Sequence, residues 1–191
     1  MLNDHQRFFV LSGGPGSGKS TLIAALGEAG FAGSIEAGRA IIKDQVRIGG
    51  PALPWENPAL FAELMLSWEM RSYGVAAASD GLHFFDRGVP DIIGYLRLSR
   101  LEVPLHVKGA ARVCLYNPKV FLLPPWPEIF AQDSERKQSL EEAERTFDAV
   151  AQAYADCGYE LVEVPRASVA DRCRFVLEIA GVASRQVDKQ V

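Results

Sequence analysis

Cysteine and histidine are scarce in this chain of 191 residues, which contains three of each. The cysteines are widely spaced and form no C-x-x-C pair, so we expect reduced thiols rather than a disulfide framework. The histidines lack the spacing of zinc ligands, which argues against a zinc site. The sequence also has no signal-like N-terminus and no apolar run approaching ~20 residues. These absences predict a soluble, cytoplasmic protein without a membrane partner.

The chain also lacks a strong excess of positive or negative charge. Twenty Lys and Arg residues against 24 Asp and Glu give a formal net charge of −4. Because no block of basic residues stands out, we expect no nucleic-acid partner. The length suits one α/β domain covering 1–191, and the composition leaves the oligomeric state open.

The most informative stretch is the glycine-rich loop GGPGSGKST at 13–21, which matches G-x-x-x-x-G-K-[ST]. Its glycines allow successive backbone N–H groups to turn inward and form a nest for phosphate oxygens. Lys19 can reach the outer phosphates, and the Ser20 hydroxyl can complete the shell of a Mg²⁺ ion. The loop therefore predicts a nucleotide site built from Gly13, Gly14, Pro15, Gly16, Ser17, Gly18, Lys19, Ser20 and Thr21.

Apolar runs of strand length alternate with helical patterns along the chain. We predict strands at 7–12, 34–36, 82–85, 119–123 and 159–164. This alternation predicts an α/β fold in which a parallel sheet is covered by helices on both faces. A polar, charged segment at about 125–145 has the composition of a mobile lid.

Two helix starts carry clear capping signals. Asn57 precedes Pro58, and Ser139 is followed three residues later by Glu142, which is the pattern of a capping box. The first of these helices carries apolar side chains at helical spacing, which we interpret as core packing. They are Leu60, Phe61, Leu64, Met65 and Trp68.

Polar residues follow the predicted strands at the edge where ligands bind in parallel sheets. Asp86 fits a carboxylate that holds Mg²⁺, although it could merely cap the next turn. Arg87 can clamp phosphate through two hydrogen bonds, or form a surface ion pair. Glu36 is the candidate base that activates a substrate hydroxyl, unless it only pairs with Arg39. The glycine-rich loop, Glu36 and Asp86 should therefore lie close together at one edge of the sheet.

Three more residues are weaker candidates for the site. Arg39 could bind the substrate or the transferred phosphoryl group. Arg136, in the lid-like segment, could stabilise transition-state charge, although a solvated charged surface explains it equally well. Asp91 could line the acceptor pocket, one helical turn after the Asp86–Arg87 pair.

The ordered motifs of the chain resemble those of a family of predicted P-loop ATPases that are labelled AAA but are kinase-like. The resemblance rests on the 13–20 loop, EAGR at 36–39, FDRGVPD at 85–91, and LPPW at 123–126 with Asp133 and Arg136. The family is similar to the nicotinamide riboside kinase domain and to deoxynucleoside kinases. The resemblance implies a three-layer sandwich with strand order 2-3-1-4-5, a lid after strand four, and adenine near 165–168. Deoxynucleoside kinases usually carry Glu-Arg-Ser where this chain has Asp-Arg-Gly at 86–88.

Two functions remain open at this point. We expect a small-molecule kinase that uses Mg²⁺ and transfers the γ-phosphate of ATP to a hydroxyl of a nucleoside-like or other small acceptor. The alternative is a regulatory ATPase that acts through a protein partner. No N-K-x-D stretch is present, so the guanine-reading element of small GTPases is missing.

Overall fold

The computed structural model describes residues 4–129 and 139–182, in which helices surround one five-stranded sheet. The strands are β1 (Phe8–Gly13), β2 (Ala32–Gly33), β3 (His83–Asp86), β4 (Lys119–Leu123) and β5 (Glu160–Glu163). The helices are α1 (Asp4–Arg7), α2 (Lys19–Glu28), α3 (Ala37–Ile48), α4 (Pro58–Ala77), α5 (Val89–Leu98), α6 (Leu105–Val113), α7 (Leu140–Asp156) and α8 (Val169–Ile179). A short 3-10 turn covers Pro127–Ile129.

The strands lie in the order β2-β3-β1-β4-β5 and all neighbouring pairs are parallel. This arrangement confirms the predicted α/β class and the strand order. In the central pairs, Leu11 of β1 lies opposite Asp86 of β3, and Gly13 lies opposite Leu123 of β4. Since parallel strands end at the same edge, the residues that follow β1 and β3 come together there.

Each face of the sheet carries an apolar core, because side chains alternate across the central strand. Phe8 and Val10 point into the core shared with α4, α5, α6 and α7. Phe9 and Leu11 point to the opposite face, where α2 and α8 pack. All four side chains are buried, which is the pattern expected when a parallel sheet is covered on both faces. The sheet therefore provides a rigid base for the loops at its carboxyl edge.

Both predicted helix caps are confirmed. The Asn57 side chain accepts a hydrogen bond of 3.0 Å from the Leu60 amide at the start of α4. At the start of α7, the Ser139 hydroxyl accepts from the Glu142 amide at 3.2 Å. The Glu142 carboxylate accepts in return from the Ser139 amide at 2.8 Å. These reciprocal bonds satisfy N–H groups that have no partner within the helix.

The second strand was predicted wrongly at 34–36, because the strand is limited to Ala32–Gly33. Ser34 still donates its amide to the Phe84 carbonyl at 3.0 Å, but the chain then turns and Glu36 becomes the residue before α3. Ile35, whose branched side chain favoured a strand, is 73% exposed. The other predicted strands are confirmed, with ends that differ by one residue at most sites.

The lid-like segment at about 125–145 is described only at its two ends. Its first part contains the 3-10 turn Pro127–Ile129, and residues from Leu140 onward belong to α7. Arg136 lies outside the described residues, so its predicted role stays a prediction.

Candidate functional site

The glycine-rich loop connects β1 to α2, as the sequence predicts, and close packing explains its first glycines. Gly13 has a φ of +133°, which L side chains rarely adopt, and a Cβ atom there would collide with the Leu123 carbonyl of β4. A Cβ atom on Gly14 would collide with the Ala143 carbonyl of α7. Because α2 begins at Lys19, the positive end of its dipole lies at the loop. The local geometry is therefore that of an anion site.

The Lys19 ammonium group lies inside this loop. Its Nζ atom donates to the carbonyls of Gly14 at 2.7 Å and Gly13 at 3.1 Å, and it lies 3.3 Å from the Ser17 hydroxyl. Only 6% of the residue is exposed. Burial, together with the nearby Arg87 guanidinium, lowers the pKa of Lys19 to about 8. An anion bound beside it would offset both effects and favour the charged form.

Asp86 ends β3 and is buried beside this loop. Its amide donates to the Ser34 hydroxyl at 2.9 Å, while its Oδ1 atom is buried without a hydrogen-bond partner in the described part of the chain. Burial raises the pKa of Asp86 to about 6, against the opposing effect of Lys19. A buried carboxylate oxygen with no donor is suited to a hard cation such as Mg²⁺. Ser20, in the first turn of α2, offers the hydroxyl ligand that the loop motif predicts.

Arg87 adopts a positive φ of 76°, which is uncommon for a residue other than glycine. Its amide donates to the Leu11 carbonyl at 3.0 Å, and its guanidinium donates to the Gly13 carbonyl at 3.1 Å. The guanidinium is also paired with the Asp91 carboxylate at 3.0 Å. These bonds fix Arg87 between the glycine-rich loop and α5, where a strained backbone is stabilised by its surroundings.

Glu36 lies between two arginines at the start of α3. Its carboxylate oxygens are 3.6 Å from Arg87 Nε and 3.7 Å from Arg39 Nε. The pairing with Arg39 was one of the alternatives for Glu36, and it coexists with the second contact to Arg87. The side chain of Glu36 is 22% exposed and thus accessible from the surface of the site.

Asp91 is the centre of a buried hydrogen-bond network. Oδ1 accepts from the Ser12 hydroxyl at 2.6 Å and from Arg87, and Oδ2 accepts from the Tyr154 hydroxyl at 2.6 Å and the Gly88 amide at 3.0 Å. Four donors thus occupy both oxygens. The geometry favours a role for Asp91 in holding Arg87 and the end of β1, and it gives the residue a function that sequence spacing did not indicate.

Two neighbouring cavities open at the carboxyl edge of the sheet. The first, which we call the loop cavity, has a volume of about 410 Å³. It is lined by Pro15, Gly16, Ser17, Gly18, Lys19, Ser20, Thr21, Glu36, Trp126, Ile129, Ala167, Ser168, Val169 and Arg172. The segment at 165–168, where the resemblance places adenine, thus contributes Ala167 and Ser168 to this cavity.

The second, the apolar cavity, has a volume of about 220 Å³. It is lined by Pro15, Glu36, Gly38, Arg39, Ile42, Lys43, Pro54, Phe61, Met65, Arg87, Asp91, Gly94, Tyr95, Leu98, Thr146, Ala149 and Val150. Glu36 and Pro15 line both cavities, so these two residues border both spaces. Two residues that we interpreted only as core, Phe61 and Met65, also form part of this wall.

Arg172 and Trp126 line the loop cavity, although neither was predicted to do so. Arg172 of α8 is 3% exposed, donates to the Ser17 carbonyl at 3.3 Å, and lies over the Trp126 ring at 5.4 Å. Its Nε atom is buried without a partner in the described chain, and burial lowers its pKa. No spacing rule distinguishes Arg172 from the other arginines near it, so the three-dimensional structure was needed to find it.

Within the described ranges, no group of three or more His, Cys, Asp or Glu side chains could enclose a metal ion. None of the helices in that part of the chain has the length and apolar character needed to cross a bilayer.

The chain was compared with known families and solved structures. A family model described as an AAA domain matches residues 8–172, which is most of the chain. No curated protein matches the sequence.

Three solved structures illustrate the fold. A deoxyadenosine kinase from M. mycoides with the products dCMP and a flexible dCDP bound is 13% identical and has a TM-score of 0.68, covering 92% of this chain and 100% of that one. A thymidylate kinase from Ehrlichia chaffeensis is 13% identical with a TM-score of 0.60, covering 92% and 98%. A NadR protein in complex with NR is 15% identical with a TM-score of 0.65. The match covers 94% of this chain but only 53% of NadR. At such low sequence identities, the structural similarity shows a common fold but not a common activity or substrate. Combined with the family match, these structures show that the chain belongs to the AAA-domain family, with the fold of a P-loop kinase.

Proposed function

We propose that the protein is an ATP-dependent phosphotransferase that moves the γ-phosphate of ATP to a hydroxyl group of a small molecule. The observation that carries the proposal is the position of Glu36, a residue that lines both the loop cavity and the apolar cavity. A kinase requires a nucleotide site and an acceptor site that meet at one point. Two of the structurally similar proteins are named as kinases, one of a nucleoside and one of a nucleotide, which supports the same function.

The loop cavity would bind ATP. Backbone amides of the glycine-rich loop and the N-terminus of α2 would bind the phosphates, with the Lys19 ammonium group reaching the outer ones. Asp86 and Ser20 would hold Mg²⁺, which when bound would neutralise negative charge on the triphosphate. Arg172 of α8 and Trp126, which follows β4, line the same cavity. We propose that they contact the nucleotide base or the inner phosphates.

Glu36 would act as the general base. The acceptor hydroxyl loses its proton to the Glu36 carboxylate while its oxygen bonds to the γ-phosphorus and the bond to the ADP oxygen breaks. Arg87 and Arg39, both within 4 Å of that carboxylate, would bind the phosphoryl oxygens. Catalysis would then depend on positioning and charge stabilisation, as is usual for phosphoryl transfer.

A screen of small alcohols with ATP labelled in the γ-phosphate tests this proposal. We expect a labelled, phosphorylated acceptor, and we expect the Glu36→Gln variant to form it about 10²–10⁴-fold more slowly. Glu102→Gln is the matched control, because Glu102 is exposed and does not line either cavity. Release of phosphate without any labelled acceptor, at a rate that Glu36→Gln does not change, would contradict the proposal and favour the regulatory ATPase.

A further inference from the structure

The apolar cavity has an uneven distribution of polar groups. One part of its wall consists of hydrocarbon side chains from α3, α4, α5 and α7. They are Ile42, Phe61, Met65, Tyr95, Leu98 and Val150. The rings of Phe61 and Tyr95 meet edge to face, with centroids 5.5 Å apart. The hydroxyl oxygen of Tyr95 is inaccessible to solvent, so Tyr95 contributes its ring to the wall.

Several polar side chains that reach this cavity are bonded to other parts of the protein. Both oxygens of Asp91 accept hydrogen bonds from the protein. The Thr146 hydroxyl donates to the Glu142 carbonyl at 2.7 Å. The Arg87 guanidinium is bonded to Gly13 and to Asp91. None of the described lining residues is Asn or Gln, the side chains that pair with the edge of an adenine through two hydrogen bonds.

Three charged residues of the cavity lie along one side. Glu36, Arg39 and Lys43 follow one another at the N-terminus and on one face of α3, at i, i+3 and i+7 spacing. A molecule that fills the cavity would thus meet charge beside Glu36, which also borders the loop cavity, and hydrocarbon along the wall described above.

We propose that the phosphate acceptor is a small alcohol whose body is a compact apolar ring rather than a nucleobase. This inference rests on the function proposed above and names its substrate class. Its hydroxyl group lies at Glu36, and its ring packs against Phe61, Met65 and Tyr95. A nucleobase would bury several hydrogen-bonding atoms against this wall without partners. Each such atom lowers affinity about 10-fold, so two of them disfavour a nucleoside about 100-fold.

A matched pair of acceptors tests the proposal. Thymidine and its difluorotoluene isostere have the same shape and the same sugar hydroxyls, and they differ only in the polar groups of the base. We expect kcat/KM with ATP to be at least about 10-fold higher for the isostere, and we expect simple aromatic alcohols to be phosphorylated as well. Equal or faster phosphorylation of thymidine would overturn the proposal, as would a panel in which only nucleosides or polyols are accepted.

A variant of the cavity wall provides a second test of the substrate class. Leu98→Gln places an amide in the hydrocarbon wall at a residue that is 39% exposed, so folding should tolerate it. We expect it to reduce the preference for the isostere by about 10-fold, whereas Val75→Gln, on an exposed site away from the cavity, should leave the preference unchanged. An unchanged preference in Leu98→Gln would overturn the assignment of this wall to the acceptor ring.

The same panel of acceptors distinguishes an error in the proposed kinase activity from an error in the substrate class. If the protein binds ATP but phosphorylates no member of the full panel, including the isostere and the aromatic alcohols, the proposed kinase activity is wrong, and this inference falls with it. If polar acceptors alone are phosphorylated, the kinase activity is correct and only the substrate class is wrong.

Discussion

Replacing Asp91 with asparagine removes a buried negative charge from a carboxylate that accepts four hydrogen bonds. The donors are the Ser12 hydroxyl, the Tyr154 hydroxyl, the Gly88 amide and the Arg87 guanidinium, all at 2.6–3.0 Å. An asparagine presents only one oxygen, so its NH₂ group must face two of these donors. The change therefore leaves part of the network without an acceptor and removes the partner of Arg87.

The magnitude follows from the burial of these groups. Breaking a buried ion pair by removing one partner costs about 3–5 kcal/mol, and Asp91 is only 6% exposed. For a chain of this size, each kcal/mol corresponds to a change in Tm of about 2–4 °C. We therefore expect Asp91→Asn to lower the Tm by about 10 °C. Because Arg87 lies beside both the glycine-rich loop and Glu36, we also expect weaker ATP binding in this variant.

Differential scanning calorimetry of three variants measures this effect. Tyr154→Phe deletes one of the four donors and should lower the Tm by a smaller amount, about 5 °C. Asp156→Asn affects an exposed ion pair with Arg97 and should leave the Tm unchanged. An Asp91→Asn variant with the Tm of the unmodified protein and only a raised KM for the acceptor would refute the structural role and support the substrate-binding role instead.

Three other predictions concern buried charges. Lys19→Ala should abolish the increase in Tm that ATP produces, and a persistent increase would place the nucleotide elsewhere. Arg172→Gln removes a cation above the Trp126 ring and a hydrogen bond to the Ser17 carbonyl, so it should weaken ATP binding about 10-fold, as measured by calorimetry. An unchanged affinity for ATP would contradict a contact between Arg172 and the nucleotide. Burial raises the pKa of Glu69 well above its ordinary value of 4.5. The protonated Glu69 side chain therefore contributes its full stabilisation of the folded state below pH 4.5, and this stabilisation is lost as the pH rises toward the folded-state pKa. Denaturation curves of the unmodified protein and Glu69→Gln should therefore diverge as the pH rises from 4.5, and parallel pH profiles would refute this account.

Local sequence signals determined much of the fold. The strand at Lys119–Leu123 was predicted with its observed bounds, because an apolar run is followed directly by two prolines. The cap at Ser139 was predicted because the capping box involves only residues three apart. The glycine-rich loop was found because phosphate binding demands a fixed spacing. Signals of this kind depend on neighbours in the chain, which the sequence displays directly.

The missed features depend on distant contacts. The stretch 34–36 was predicted to be a strand that ends at Glu36. The chain instead turns after Ser34, where the Ser34 hydroxyl accepts from the Asp86 amide, 52 positions away. The network around Asp91 joins residues from β1, α5 and α7, and Asp91 would look the same in sequence if it faced solvent. Arg172 reaches the glycine-rich loop across 155 positions. Periodicity and spacing carry no information about contacts at such separations.

The central claim is that Glu36 accepts the proton of the attacking hydroxyl at the junction of the two cavities. The most direct measurement is a single-turnover experiment with γ-labelled ATP and an acceptor that the protein phosphorylates in the screen. It compares the unmodified protein with Glu36→Gln at equal ATP saturation. The account predicts that label transfer slows about 10²–10⁴-fold while the Kd for ATP changes little. Transfer at an unchanged rate in Glu36→Gln would contradict it.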